Sequence, residues 1–382
     1  MAMKKILFCA TVDFHFEKFH LPVMKWFKEQ GWLVHVAAHG SLNLPYTDKK
    51  FNLSIQRSPI SMHNVQAYRE LKALMEENQY QIIDCHTPMG GVLARLAAKS
   101  QKTKVIYTAH GFHFYKGAPL LNWLLYYPIE KVLAKNTDSL ITINDEDYQA
   151  ANANHFKAAA IHHVHGVGVD TTRFQPVSEP LKQEIRSKLG YKENDFLLFY
   201  AAEFNKNKNQ RLLIEIMADL AEELPQVKLL LAGAGPLIEE CRQLSKDKKV
   251  GGKIEFLGYQ KDILPYLNCS DLAVASSLRE GLPVNILEAM ACGLPVLANK
   301  NRGHLDLIKN NSTGWMIETQ QTADYVSKIR MLVSSPALRK RMGENGRKVV
   351  LDKFSITRVL AEKTGICKEY MNELEEEKWE IH

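Results

Sequence analysis

Short apolar runs rich in Val, Ile and Leu recur along the chain, and between them apolar positions return every three or four residues. The first pattern reads as strand, the second as amphipathic helix. In the first half it predicts strands over 6–10, 33–37, 82–85, 105–108, 139–143 and 161–164. Helices are predicted between them over 18–30, 64–78, 90–99, 119–135 and 145–155. The alternation then restarts, with strands over 196–201, 227–232, 254–257, 272–275, 295–298 and 314–317. The matching helices run over 208–223, 236–246, 262–268, 283–291 and 320–333, and 336–377 is helical in pattern throughout. Strands that alternate with helices build parallel sheets covered on both faces. The expected fold class is α/β, with two Rossmann-like domains and a ligand cleft beyond the carboxyl ends of their strands. Residues 171–180, with Pro176, Pro180 and several polar side chains, form the linker candidate. The expected domains are 1–175 and 181–354, followed by a terminal segment over 355–382.

Composition narrows the function classes. At 382 residues, 46% hydrophobic and 24% charged, the chain suits two folded domains. No apolar run approaches the roughly 18 residues needed to cross a bilayer. Lys4 and Lys5 lead only into a short apolar strand without a small-residue cleavage site, so no signal peptide is expected. The six cysteines form no C-x2-C pair, which suits a reducing cytoplasm and argues against a zinc site. Net charge is a modest +6, and no nucleic-acid partner is expected. Residues 1–175 carry 19 basic against 14 acidic side chains and 12 of the 14 histidines. That half points to an anionic partner, a diphosphate lipid or a membrane surface, with chance surface charge as the alternative. The segment 119–135, aromatic, apolar and edged with lysine, reads either as a membrane-interface helix or as a helix buried between layers. The first strand is not followed by G-x-G-x-x-G, which disfavours a nicotinamide dehydrogenase.

The most informative stretch runs Glu280-Gly281-Leu282-Pro283-Val284-Asn285-Ile286-Leu287-Glu288. It follows a predicted strand, and Pro283 suits the first turn of a helix. A helix N-terminus there seats a diphosphate on free amides and the positive dipole end. One carboxylate could meet a sugar and the other a ribose. The plainer reading is a helix-capping acid and an ordinary salt bridger. Asn205, Lys206 and Lys208 follow the first strand of the second half, where lysines could neutralise a departing diphosphate or form a solvated basic turn. Gly233 and the Gly258-Tyr259 pair each follow a strand, as nucleotide-contacting loops or as plain tight turns. In the first half His110, at a strand's carboxyl end in Thr108-Ala109-His110-Gly111-Phe112-His113-Phe114-Tyr115, could approach a ligand closely or be a satisfied core histidine. His86 follows another strand, and His15 and Glu17 follow the first.

The stretch from Glu280 to Ala298 resembles the donor-site signature of family 4 retaining glycosyltransferases, and His110-Gly111-Phe112-His113-Phe114 resembles that family's HGxHF-type loop. Together with the segment 119–135, the latter loop resembles the capsule and exopolysaccharide branch of the family. The resemblance implies the GT-B fold, with an acceptor-binding first domain, a nucleotide-sugar-binding second domain and a terminal helix crossing back to the first. It implies retention at the anomeric carbon, a nucleotide-sugar donor (a UDP-sugar), no metal and no other cofactor. It makes Glu280, His110 and Lys208 catalytic, and Glu288 the ribose ligand. Gly281, Leu282, Pro283, Asn205, Lys206, Gly233, Gly258 and Tyr259 complete the donor site, and His15, Glu17, His86 and Tyr115 face the acceptor. Glu203 stands where the family has an arginine, with Lys206 as the replacement cation. The implied acceptor is a lipid-diphosphate-linked saccharide on the cytoplasmic face of an anionic membrane. The rival readings are a sugar-nucleotide epimerase on the same fold and a non-catalytic sugar-nucleotide-binding partner.

Overall fold

The computed structural model describes residues 3–318 and 321–379. It divides into two compact units, Met1–Val167 with Thr357–His382, and Gly168–Ile356. The first carries seven parallel strands: β1 Lys5–Val12, β2 Leu33–His39, β3 Lys49–Asn52, β4 Ile82–His86, β5 Lys104–Ala109, β6 Ser139–Thr142 and β7 Ala160–His163. Their order is β3-β2-β1-β4-β5-β6-β7. The second carries β8 Phe196–Ala201, β9 Val227–Ala232, β10 Ile254–Gly258, β11 Leu272–Ala275, β12 Val296–Asn299 and β13 Gly314–Ile317. Their order is β10-β9-β8-β11-β12-β13. Central strands are buried on both faces, which is why they read as unbroken apolar runs rather than as an alternation.

Each sheet reverses direction once, between β1 and β4 in the first unit and between β8 and β11 in the second. At such a switch point the flanking crossovers leave to opposite sides, so the strand ends stand open to a ligand.

Four local differences from the expected elements have physical causes. β3 reads Lys-Lys-Phe-Asn and lies at the sheet edge, where lysines are tolerated and the apolar signal disappears. The helix expected over 18–30 is two helices, Phe14–Phe19 and Leu21–Glu29, because Pro22 occupies the first turn of the second and the chain breaks at His20. The linker candidate is anchored within the second unit at both ends. Phe174 joins the second core, and Pro180 opens the helix Glu179–Lys188. The break between units therefore falls at Val167/Gly168, ahead of residue 175. The helix expected over 320–333 is observed as Thr322–Ser334, and Gln320 lies outside the described residues. The same holds for Glu380–His382 of the expected terminal segment.

The last helix, Ile356–Trp379, puts Val359, Ile366, Cys367 and Tyr370 into the first unit's core. Its Lys363 Nζ lies 2.9 Å from Asp84 Oδ2, both buried. The helix Leu120–Leu133 buries Glu130 and Leu133 but leaves Leu120, Leu121 and Leu124 about 70% exposed (73%, 70% and 67%). It is not a helix buried between layers. Among the described residues no helix is long and apolar enough to cross a membrane. All six cysteines are free and buried.

Candidate active site

In the second unit two loops meet at the switch point. The loop after β8 carries Asn205 to Lys208, and the loop after β11 carries Ser276 to Glu280. They are stitched together by their own polar groups. Ser276 Oγ donates to the Lys208 carbonyl at 2.8 Å, and Asn207 Nδ2 donates to the Arg279 carbonyl at 2.9 Å. The Leu278 amide donates to the Asn207 carbonyl at 2.8 Å, and buried Tyr200 shares a 2.6 Å hydrogen bond with Ser277 Oγ. This stitching brings Lys208 Nζ to 2.5 Å from Glu280 Oε1.

The helix Val284–Ala291 begins one residue later than expected, with Pro283 as its extended N-cap residue (φ −80°, ψ 103°) rather than in its first turn. The Ile286 and Leu287 amides reach the Pro283 carbonyl, and those of Val284 and Asn285 have no intrahelical acceptor. Gly281 and Leu282 are half-buried between Glu280 and this helix end, and Glu288 is half-buried within the helix. Asn285 turns its side chain back, Nδ2 donating to the Ala201 carbonyl at 2.9 Å.

Other expected donor residues have structural work. Asn205 Oδ1 accepts from the Lys208 amide at 3.0 Å, which fixes the turn. A Cβ at Gly233, whose φ is 145°, would lie 2.0 Å from the Ala202 carbonyl oxygen, and its amide donates to the Gly258 carbonyl at 2.7 Å. Backbone packing thus accounts for this glycine. Tyr259 and Lys206 are exposed, and exposed Glu203 accepts from Asn205 Nδ2 at 2.9 Å.

Sequence reasoning missed the loop after β12. Arg302 Nε donates to the Glu280 carbonyl at 3.2 Å, and a Cβ on Gly303 would come 2.7 Å from the Glu280 Cβ. His304, fully buried, lies 2.5 Å through Nδ1 from the Asn299 carbonyl, and burial pushes its pKa down. The signal was available, since this run follows a strand as the run at His110 does.

In the first unit the turn after β1 and the ends of β4 and β5 bring four histidines together, His15, His20, His86 and His110. His20 and His86 are buried and stack with ring centroids 3.9 Å apart, while His15 and His110 are half-buried. Burial lowers the His15 pKa to about 4 and those of the other three well below 6.5, so all are neutral at physiological pH. His86 Nε2 lies 3.2 Å from Asp84 Oδ1. Burial raises the Asp84 pKa against the opposing pull of Lys363. His15, Arg57, Thr87, His113 and Tyr126 help line a cavity of about 420 Å³. Glu17 is exposed and, two residues past His15 on the same helix, faces away from it. Tyr115 lies on the loop beyond His113, its carbonyl accepting from Trp123 Nε1 at 3.2 Å, and is not part of the cluster. His20 was missed because its partners come from three separate stretches.

These two sites can be set against known proteins. The family model described as glycosyl transferases group 1 matches residues 182–349, and one described as glycosyl transferase 4-like matches 5–144. A Bacillus subtilis (strain 168) chain named as a glycosyltransferase, EpsD, is 47% identical over 372 residues, which cover 97% of each chain. The chain belongs to the glycosyltransferases. This glycosyltransferase is also 27% identical over 311 residues, 78% of its own length and 80% of the relative's, to an Escherichia coli enzyme. That relative is named UDP-Gal:alpha-D-GlcNAc-diphosphoundecaprenol alpha-1,3-galactosyltransferase. Among solved structures, sucrose-phosphate synthase from Thermosynechococcus elongatus superposes with a TM-score of 0.79 at 18% identity, covering 97% of this chain and 99% of that one. Anabaena HepE, solved with UDP and glucose, gives 0.79 at 18% identity, covering 96% and 100%. The family and the GT-B fold class expected from the motifs are those found.

Proposed function

We propose that this glycosyltransferase moves a sugar from a UDP-sugar to a lipid-diphosphate-linked saccharide, with retention, at the cytoplasmic face of a membrane. The observation that carries the reading is the Lys208–Glu280 pair at the β8/β11 switch point, beside a helix end with free amides. In this reading the helix-end amides and Lys208 take the charge that develops on the departing diphosphate. Glu280 holds donor hydroxyls and stabilises positive charge near the anomeric carbon. Glu288 binds the ribose, and the Gly281 and Leu282 amides contact the sugar or phosphates. Asn205 and Lys206 edge the phosphates, and the Gly233 and Gly258-Tyr259 turns border the base. His110 meets the donor sugar.

The first unit offers the acceptor in this reading. The cavity beside His15 has the mixed polar and aromatic lining that a saccharide diphosphate needs, with Arg57 as its cation. His86 supports His15 from behind, and Glu17 and Tyr115 stand further out. The exposed leucines of the helix Leu120–Leu133, flanked by Lys116, Lys131 and Lys135, suit the interface of an anionic membrane. What the Escherichia coli relative is named for, and the UDP and glucose bound to HepE, support a UDP-sugar donor and a diphosphate-lipid acceptor.

The test is UDP release from a panel of UDP-sugars, with and without a lipid-linked acceptor, beside Glu280→Ala. Release from one sugar that rises with acceptor and collapses in the variant supports the reading. Interconversion of the sugar without acceptor would point to an epimerase. Binding with no turnover under any acceptor would overturn the transfer.

A further inference from the structure

Four imidazoles converge in the first unit although the chain supplies them from three places. His15 lies in the short helix after β1 and His20 at the break that ends it, His86 ends β4, and His110 follows β5. β1, β4 and β5 lie side by side at the switch point. One ring nitrogen of each histidine lies within 4.8 Å of all the others. His15 Nε2 is 3.1 Å from His20 Nε2, and His86 Nδ1 is 3.3 Å from His110 Nε2. Zinc held tetrahedrally by imidazole at about 2.0–2.1 Å sets its ligand nitrogens roughly 3.3 Å apart. Two edges of that tetrahedron are therefore nearly at length, and the longest remaining edge needs to close by about 1.5 Å.

We propose that His15, His20, His86 and His110 bind one divalent transition-metal ion of the zinc class. The surroundings fit such an ion in two respects. His86 Nε2 lies 3.2 Å from Oδ1 of the buried Asp84 carboxylate, and neither atom has a hydrogen-bond partner as the rings stand, so that carboxylate is available to orient a metal-bound His86. The charge of Lys363, 2.9 Å from Asp84, is matched by that carboxylate, while half-buried His15 and His110 leave a path for the ion and for a balancing anion. An all-imidazole set selects zinc, cobalt, nickel or copper over magnesium or calcium.

The inference stands on the first unit alone and does not rest on the proposed transfer. The full chain, produced without a polyhistidine tag and stripped with chelator, is dialysed against Zn²⁺ and against Co²⁺. About one equivalent of Zn²⁺ retained per chain is expected, with the visible absorption of four-coordinate Co²⁺ and a raised Tm. His15→Ala and His110→Ala, at half-buried positions, should each weaken Zn²⁺ binding about 100-fold or more while keeping the far-ultraviolet circular dichroism of the parent. Glu280→Gln, in the second unit, should bind Zn²⁺ as the parent does even when transfer is lost, so failure of one reading leaves the other standing. Substoichiometric Zn²⁺ in the parent chain, an octahedral Co²⁺ spectrum, or unchanged affinity in both histidine variants would overturn the site.

Discussion

Lys208 Nζ lies 2.5 Å from Glu280 Oε1, and the two side chains are only 22% and 12% exposed. Each neutralises the other at the end of a helix that already favours an anion. In the proposed reading, a donor diphosphate and Glu280 would therefore compete for one ammonium group.

The competition makes the two residues separable. Lys208→Met should weaken UDP binding by roughly 10- to 100-fold, the worth of one hydrogen bond to a charged group. Glu280→Gln should bind UDP at least as well as the parent, because Lys208 is released, while turnover falls about 100-fold or more. Titration calorimetry with UDP, beside a rate assay, reads both. Equal weakening of UDP by the two variants would mean that the pair stays closed around the nucleotide.

Gly303 sets the position of Glu280 from behind. An added methyl would meet the Glu280 Cβ at 2.7 Å and the Gly281 carbonyl oxygen at 2.9 Å. Both contacts lie on the loop that carries the carboxylate. Gly303→Ala should cost about 1–3 kcal/mol of stability through overpacking and lower turnover at least about 10-fold. Parental turnover alongside a lowered Tm would assign Gly303 to packing alone.

The terminal helix is joined to the first sheet by charge as well as by apolar contact. Asp84 is fully buried and Lys363 nearly so, 2.9 Å apart. Removing one partner strands a buried charge, so Lys363→Met should cost roughly 3–5 kcal/mol. Lys363→Met combined with Asp84→Asn should recover much of it. Urea unfolding of the single and double variants measures the coupling, and simple additivity would rule it out.

Much of this architecture was legible in the chain because buried parallel strands carry their own signal. All six strands expected in the second half appear, within a residue or two at their ends. What stayed hidden depends on strand order, which no local pattern encodes. Lys208 meets Glu280 because β8 lies beside β11, and His20 reaches His86 because a helix breaks beside β4. Spacing of cysteines argued against zinc, but it has no bearing on imidazoles gathered from β1, β4 and β5. Pro180 read as linker punctuation, yet proline also suits the first turn of a helix, and there it sits.

The leucine face of the helix Leu120–Leu133 predicts a membrane contact that can be removed without harming the fold. Leu121 and Leu124 are 70% and 67% exposed. Leu121→Glu with Leu124→Glu should lower co-sedimentation with anionic vesicles about 10-fold or more. Stability should change by no more than about 0.5 kcal/mol per exposed position. Undiminished sedimentation of the double variant at low salt would remove this helix from the contact.

His304 makes stability depend on pH from within the second unit. Burial holds its pKa below 6.5, with Nδ1 donating to the Asn299 carbonyl and Nε2 buried without a hydrogen-bond partner. Below pH 6.5 the unfolded chain takes up a proton at this position that the folded chain refuses. Its contribution is therefore complete above the unfolded pKa and is lost as pH falls toward the lower folded value. The slope it adds is at most roughly 1.4 kcal/mol per pH unit. His304→Gln should lower stability near neutrality by removing the bond to Asn299, yet narrow the difference in Tm between pH 7.5 and pH 5.5. Thermal melts of parent and variant across that range decide it. An unchanged pH dependence would mean that His304 accepts a proton as readily in the folded chain as in the unfolded one.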